Sequence, residues 1–472
     1  MRVPQRLTTW IAPTLAAAAL AAACGGGCGG GGSGGGDGGG GGDGGVTSLA
    51  PSADGRRLVD ASGDPVLILG DAPQSLMVDV SVADADAYFA TRAAQGFNAA
   101  WVNLLCTTYT GGRPDATTFD GVPPFLSRLP TGELDLSTPN EAYFARVDAV
   151  VASAAAHGIW LWLDPIETGG FLPTLLANGL ANNREYGRFL GRRYRDARNI
   201  VWMSGNDFYG WTTPAYDAAV LEVARGIRDE APSHLQTVEL QPTVSSSLDD
   251  PAWSDLLGIN STYTYSPTYA QLYVDWQRSP HLPNVMIEGN YEGEQLADAP
   301  HVTEAVDCRN ELWWSMLSGA AGVFYGNHWI HPMNDWMAHM HDPGATQVTH
   351  VRAILSPRRW DRLVPDIDNT VATSGYGTLS SAGNAQGNDY VTTARVPDGS
   401  LVMAYFPVPH DLVVDMTRLA GPAKASWYDP TSGASTSDPA SPVPNVGTHV
   451  FTPPARTHSD GASDWVLVLE AQ

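Results

Sequence analysis

Short apolar runs alternate with amphipathic stretches from Val66 to Trp329. The runs are Val66–Asp71, Phe97–Leu105, Gly158–Ile166, Asn199–Asp207, His234–Leu240, Leu256–Thr264, Asn284–Tyr291 and Ala321–Trp329. Most are continuously apolar, the pattern of strands buried on both faces of a parallel sheet. Helical patterns lie between most neighbours. Thr138-Pro139-Asn140-Glu141 predicts an N-cap at Thr138, a proline in the first turn and a Glu reaching back as a capping box. Tyr143, Phe144, Val147, Val150 and Val151 follow at helical spacing, and Gly158 ends the segment. Thr213-Pro214 opens a second helix, with Val220, Leu221, Ala224 and Ile227 on one side. Asp86–Ala94, Arg184–Arg195 and Glu304–Leu317 complete the rhythm. Eight such units predict an α/β fold of the (β/α)8 TIM-barrel kind. A doubly wound sheet is the competing arrangement. Against it, the first strand ends in Gly70-Asp71-Ala72-Pro73, with no glycine-rich phosphate loop.

After Asp368 the texture changes. Tyr390–Val396, Leu401–Pro407, Asp411–Met416, Ala425–Tyr428 and Trp465–Leu469 are short, β-rich and separated by turn residues. Val396-Pro397-Asp398-Gly399 reads as a hairpin turn. The expected organisation is a signal peptide at 1–23, a tether at 24–46, a barrel at 47–367 and a small all-β sandwich at 368–472. Trp427 and Tyr428 suit an interdomain core better than a sugar surface.

Composition adds the leader and the tether. Of 50 Gly in 472 residues, 17 fall within the 21 residues from Gly25 to Gly45. Such a stretch buries no core and acts as a flexible coil reaching about 25 Å on average. Arg2 and Arg6 precede the apolar segment Ile11–Ala23, which is too short to span a bilayer. Leu20-Ala21-Ala22-Ala23-Cys24 resembles a bacterial lipobox. The expectation is an exported protein, lipidated at Cys24 and anchored at the bacterial cell surface or in the periplasm. An ordinary secretory signal is the alternative. The net charge of −24 excludes a phosphate-backbone binder, so no nucleic-acid partner is expected. Cys28 falls in the tether. Cys106 and Cys308 are readable either as a disulfide or as two buried thiols. With no CxxC or Cys/His spacing, structural zinc is not expected.

Barrel enzymes carry their active sites at the C-terminal ends of the strands. The residues there are polar and aromatic: Asp71, Asn103, Asp164, Asn206, Asp207, Tyr263, Glu288, Tyr291, Asn327, His328 and Trp329. Asp207 ends the fourth run and Glu288 the seventh. A charged residue closing an apolar strand must face a polar site or be desolvated at a cost. Two opposed carboxylates are what glycoside hydrolysis requires. The competing reading caps a helix with each carboxylate or pairs it with an arginine such as Arg309. Trp211, Tyr263, Tyr291 and Trp329 are candidate platforms for sugar rings. Asp71, Asn103 and Asn327 are candidate partners for sugar hydroxyls. His328, His331 and Asp335, or His339 and His341, lack the three or four convergent ligands of a metal site. No metal or cofactor is expected, and no Gly-x-Ser-x-Gly elbow indicates a serine hydrolase.

Several segments together resemble the apiosidase-like proteins of glycoside hydrolase family 140. They are Leu69-Gly70-Asp71, Gln95-Gly96-Phe97-Asn98, Tyr186-Gly187-Arg188-Phe189-Leu190-Gly191-Arg192-Arg193-Tyr194, Asn199-Ile200-Val201-Trp202 and the run Leu317–Asn327. The resemblance spans Leu58 to Arg359. Trp427-Tyr428-Asp429-Pro430-Thr431-Ser432-Gly433 resembles the β-domain that often follows, which carries a provisional collagen-binding label. The resemblance implies a (β/α)8 barrel, a carbohydrate substrate and an Asp/Glu catalytic pair matching Asp207 and Glu288. The family usually reads Gly-Gly-Asp at Gly205-Asn206-Asp207, and has Thr and Trp near Ala72-Pro73-Gln74. By analogy, Asp207 is the general acid/base and Glu288 the nucleophile, with Asn206 on the hydroxyl next to the anomeric carbon. Retention of configuration is the expected outcome. The alternatives are a barrel glycosidase for another sugar, and a non-catalytic surface protein that binds glycan or collagen.

Overall fold

The computed structural model describes residues 46–241, 244–297 and 299–472. The signal segment, Cys24, Cys28 and the glycine tether lie outside them.

All eight apolar runs contain a strand. They are β1 (Ile68–Asp71), β2 (Ala99–Asn103), β3 (Trp160–Asp164), β4 (Ile200–Ser204), β5 (Gln236–Val238), β6 (Asn260–Tyr263), β7 (Asn284–Glu288) and β8 (Gly322–Asn327). The parallel ladder runs β5-β4-β3-β2-β1-β8-β7-β6. The longer helices among the described residues are α1 (Val82–Ala94), α2 (Glu141–Ala156), α3 (Thr168–Tyr194), α4 (Pro214–Glu230), α5 (Thr268–Gln277), α6 (Ala305–Leu317) and α7 (Pro343–Leu355). Between β5 and β6 the described residues include a short strand, Ser245–Ser246, antiparallel to β6, and two 3-10 turns, Ser247–Asp249 and Pro251–Trp253. There the barrel is closed by hydroxyls. Thr237 Oγ1 lies 2.9 Å from Ser261 Oγ, and Ser247 Oγ accepts the Ser261 N–H at 2.9 Å and donates to the Val238 carbonyl at 2.5 Å. Inside, Trp101, Trp162 and Phe324 fill the barrel, with Trp162 edge-on to Phe324 at 5.2 Å.

Three helix boundaries differ from the sequence expectation. The helix expected from Asp86 begins at Val82, capped by Ser81, whose side chain accepts the Asp84 N–H. The N-cap of α2 is Asn140, whose side chain accepts the Ala142 N–H. Thr138 is held extended, because its carbonyl accepts the Leu126 N–H and Pro139 bridges to Phe125. Arg184–Arg195 falls mostly in the second half of α3, which is broken at Gly179 (φ 74°, ψ 164°), a conformation glycine adopts at no steric cost.

The C-terminal region forms two antiparallel sheets. One contains β9 (Thr392–Arg395), β10 (Leu401–Phe406), β12 (Ala423–Tyr428) and β14 (Trp465–Ala471). The other contains β11 (Leu412–Asp415) and β13 (Thr448–Phe451). The β9–β10 connection is the expected hairpin, with Gly399 at φ 77°. The first sheet lies against α6. Trp313 stacks on Tyr405, the Trp314 indole N–H donates to the Tyr390 carbonyl, and both tryptophans share one core with Val466 and Val468. Arg309 makes a two-pronged contact to Asp464 at 2.7 and 2.8 Å, with both side chains sealed from water. Tyr428 joins this interface by accepting from Arg358, whereas Trp427 is buried in the β-domain's own core.

Cys106 and Cys308 are both buried free thiols. Each Sγ approaches main-chain carbonyls, Gln74 and Asn103 for Cys106 and Asn290 for Cys308, so of the two readings the disulfide is not the one formed.

Removing one member of a sealed ion pair strands the other charge. Arg309→Ala is therefore expected to lower stability by about 3–5 kcal/mol in chemical denaturation. A loss within about 1 kcal/mol, the range of an exposed pair, would contradict that burial.

Candidate active site

The turn after β4 sets the site. Gly205, Asn206 and Asp207 have φ of 119°, 61° and 58°, three consecutive residues in the positive-φ region. Gly205 has no alternative, since a Cβ there would lie 2.0 Å from the Glu239 carbonyl oxygen. Asn and Asp are the side-chain-bearing residues that best tolerate this region. Asn206 thus occupies a position where a resembling family carries Gly without changing the backbone. The Asp207 N–H donates to Glu239 Oε2 at 3.1 Å, and Thr168 Oγ1 donates to the Gly205 carbonyl at 2.6 Å. The turn is fastened from both sides and aims the half-buried Asp207 carboxylate across the barrel mouth.

Glu288, at the end of β7, is 7% exposed. Four tyrosines bind the two carboxylates. Tyr109 donates to Asp207 Oδ2 at 2.5 Å and Tyr263 to Oδ1 at 2.8 Å. Tyr265 donates to Glu288 Oε1 at 2.7 Å and Tyr291 to Oε2 at 3.1 Å. The Tyr263 and Tyr265 hydroxyls lie 2.8 Å apart, so a continuous chain joins Asp207 to Glu288. A second chain runs behind it. Gln74 Nε2 donates to Tyr291, Asn206 Nδ2 lies 3.5 Å from Gln74 Oε1, Asn103 Nδ2 donates to Asn206, and the Trp101 indole N–H donates to Asn103.

The site is rich in carboxylates. Glu239, just past β5, is 1% exposed and only one of its oxygens, Oε2, has a hydrogen-bond partner. Burial, then the charges of Glu288 and Asp207, raise it well above the ordinary range. Glu288 is pushed up to about 8, by burial first and by Asp207 second, while the hydroxyls of Tyr265, Tyr263 and Tyr291 pull it back. The Tyr109 loop has its own anchor. Thr107 donates to Glu167 through N–H and Oγ1, both at 2.6 Å, and Thr110 donates to the same carboxyl. Burial lifts Glu167 to about 7 despite these donors.

Of the residues singled out from sequence, Asp207, Glu288, Asn206, Asn103, Tyr263 and Tyr291 come together in this network. Asp71 does not join it. It is sealed against α1, paired with Arg92 at 2.5 Å, bound by Tyr88 and capping the Ala72 N–H. Asn327 braces the loop after β8, donating to Tyr325 and Asp342 and accepting from the Trp329 and Ile330 N–H groups. Trp329 has one face stacked on His339 at 3.9 Å, and Trp211 is partly buried against the outer core. Arg309 pairs with the β-domain and with neither catalytic candidate. Among the described residues no group of three or more His, Cys, Asp and Glu is arranged to hold a metal ion.

Sequence reasoning missed Glu239, Tyr109, Tyr265 and the role of Gln74. Glu239 carried the same signal as Asp207 and Glu288, a carboxylate closing an apolar run. Tyr265 lies two residues beyond Tyr263, where strand alternation continues the same face. Tyr109 is far from any strand, and only the fold of its loop brings it to Asp207.

A family model for the apiosidase-like catalytic domain matches residues 52–362. A second, for a domain described provisionally as the collagen-binding domain of a collagenase, matches residues 379–470. A solved structure titled glycoside hydrolase is similar with a TM-score of 0.74 at 19% identity, covering 90% of this chain and 97% of that one. A family 5 glycoside hydrolase from Bacteroides vulgatus gives a TM-score of 0.74 at 19% identity, covering 90% and 93%. At such identities the likeness is one of fold. No curated protein matches the chain.

A carboxyl raised on folding holds its proton more tightly in the native state. Its share of stability is full below the unfolded value of about 4.5 and is lost as pH rises through about 8. Glu288→Gln removes that dependence. Its stability relative to wild type is expected to improve by about 1–3 kcal/mol between about pH 5 and about pH 8, followed by denaturant titration. A pH-independent difference would contradict the elevated Glu288.

Proposed function

The chain belongs to the apiosidase-like catalytic-domain family and is a glycoside hydrolase, and on that premise we propose that it cleaves a glycosidic bond in a polysaccharide side chain, using Asp207 and Glu288. The observation that carries the pair is their placement at the ends of β4 and β7 in one tyrosine-lined mouth. Asp207, nearer solvent, is the general acid that protonates the leaving oxygen. Glu288, sealed beneath it, attacks the anomeric carbon, and Asp207 then activates the water that releases the sugar. Asn206, next to Asp207 and part of the same network, suits the hydroxyl beside the anomeric carbon. The family points to an apiosyl linkage.

A panel of aryl glycosides and pectic oligosaccharides tests this reading. Asp207→Ala and Glu288→Ala are each expected to cost about 10²-fold or more in turnover. Full activity in either variant would remove the assignment. Proton NMR of the first product is expected to show retained anomeric configuration. The match over residues 379–470 favours a binding role for the β-domain, toward collagen or glycan, beside the catalytic one. Equal retention of wild type and of a chain lacking residues 379–470 on both ligands would remove that role.

The same proposal has the enzyme exported and held at the bacterial cell surface or in the periplasm through a lipid on Cys24. Labelled palmitate is expected to enter the wild-type chain in a bacterial host and not Cys24→Ala. Equal labelling of both would remove the anchor.

A further inference from the structure

The aromatic side chains around the mouth fall into two sets. Tyr263 and Tyr291 are buried, with their hydroxyls on the carboxylates beside them, and Trp329 has one face on His339. Tyr109 and Tyr209 are 41% and 58% exposed, and both touch Asp207. Tyr109 donates its hydroxyl to Asp207 Oδ2 at 2.5 Å, and the Tyr209 N–H donates to the Asp207 carbonyl at 2.6 Å. Burial, then the Asp207 charge and hydrogen bond, and then the Tyr209 phenol hold the Tyr109 phenol above its ordinary range, which places the two rings near each other. A single exposed tyrosine is ordinary on any protein surface. Two that converge on the candidate acid need a more specific explanation.

Their place relative to the pair supplies it. Asp207 Oδ1 is linked through Tyr263 and Tyr265 to the sealed Glu288, whereas Oδ2 is held by the half-exposed Tyr109. In glycoside hydrolysis the nucleophile meets the anomeric carbon and the acid meets the oxygen beyond it. What lies past that oxygen is the leaving group. Side chains on the solvent side of the acid, away from the nucleophile, therefore meet the leaving group. We propose that Tyr109 and Tyr209 form a platform for the leaving-group side of the substrate, a main-chain pyranose ring of the polysaccharide, and so select which polymer is cleaved. The inference rests on the assignment of Asp207 as acid and Glu288 as nucleophile, and on a side-chain linkage as the bond broken.

The platform is held in place by its surroundings. The Tyr109 ring lies on Gly169 at the start of α3, where a Cβ would come within 2.3 Å of it. A Cβ on Gly170 would lie 2.1 Å from Thr107 Oγ1, so this glycine pair seats the loop that Glu167 anchors. Tyr209 rides on the turn after β4, where the Phe208 N–H donates to the Leu240 carbonyl at 2.8 Å. Rings ordered in advance lose little freedom when a ligand stacks on them. A tyrosine offers an apolar face and a polar edge. A pyranose matches it, with C–H groups on its faces and hydroxyls around its rim.

The test uses the full chain and two substrates of the sugar that the panel shows to be turned over. One is a pectic oligosaccharide carrying that sugar on a main-chain pyranose, the other its methyl glycoside. Both leaving groups are alcohols that depart only when protonated, so weakened acid help slows both alike. Only the oligosaccharide brings a ring to the platform. The quantity read is the ratio of kcat/KM on the oligosaccharide to that on the methyl glycoside, which any unfolded fraction leaves unchanged. Tyr109→Ala and Tyr209→Ala are each expected to lower that ratio about 10-fold, the scale of one aromatic contact. Tyr109→Phe keeps the ring and loses the hydroxyl on Asp207, and is expected to hold the wild-type ratio whatever its rates. A wild-type ratio in either alanine variant would overturn the platform. So would a ratio in Tyr109→Phe as low as in Tyr109→Ala, which would assign the effect to the hydroxyl. Losses of about 10²-fold on both substrates in Asp207→Ala and Glu288→Ala check the underlying assignment separately. With those losses present, an unchanged ratio removes the platform alone. With them absent, or with no turnover of any sugar by wild type, the assignment falls and the platform with it.

Discussion

The rest of the site depends on one constraint, the burial of Glu239 and Glu288 beside Asp207 at the mouth of a barrel, where the described hydrogen-bond donors are uncharged. Asp207, Glu239 and Glu288 face the same space. Desolvation and the neighbouring acidic charges both oppose ionisation of Glu239 and Glu288. The fold answers with hydroxyl donors. Four tyrosines bind Asp207 and Glu288, the candidate pair, and a backbone N–H serves Glu239. Neutral donors stabilise a carboxylate without quenching its charge, as a neighbouring arginine would. A group so held can still gain or lose a proton during a reaction.

The architecture around the mouth serves this arrangement. The positive-φ turn at Gly205–Asp207 is tied to Glu239 on one side and to Thr168 on the other. Tyr109 reaches Asp207 because Glu167 anchors its loop. Polar groups that looked available for substrate are used for construction instead. Asp71 fixes β1 to α1 through Arg92, and Asn327 shapes the loop after β8. On the far side, α6 carries an aromatic surface continuous with the β-domain core, sealed by Arg309 and Asp464. An interface so apolar and so tightly paired makes the β-domain part of the same folded body as the barrel.

Much of the fold was legible because it follows from local periodicity. The eight apolar runs became eight strands, since a strand buried on both faces has no polar positions to confuse the reading. Helix starts were less legible. Thr138 had the right residue type for a cap, but pairing with Leu126 claimed its backbone, and Asn140 took the role. The break at Gly179 left no periodic signature that would distinguish it from a helical glycine.

By itself the sequence determined which residues had to sit at strand ends, and with them the two catalytic candidates. A charge that closes an apolar run is placed by the strand, and the strand by its own pattern. Only the tertiary structure decided which polar groups face substrate and which hold the frame, because that choice depends on partners distant along the chain. Tyr109 and Asp207 stand 98 residues apart and Asp71 and Arg92 stand 21 apart. Nothing local distinguishes the carboxylate that meets a tyrosine at the mouth from the one that meets an arginine behind the sheet. The curvature of the barrel makes that distinction by setting which side chains converge.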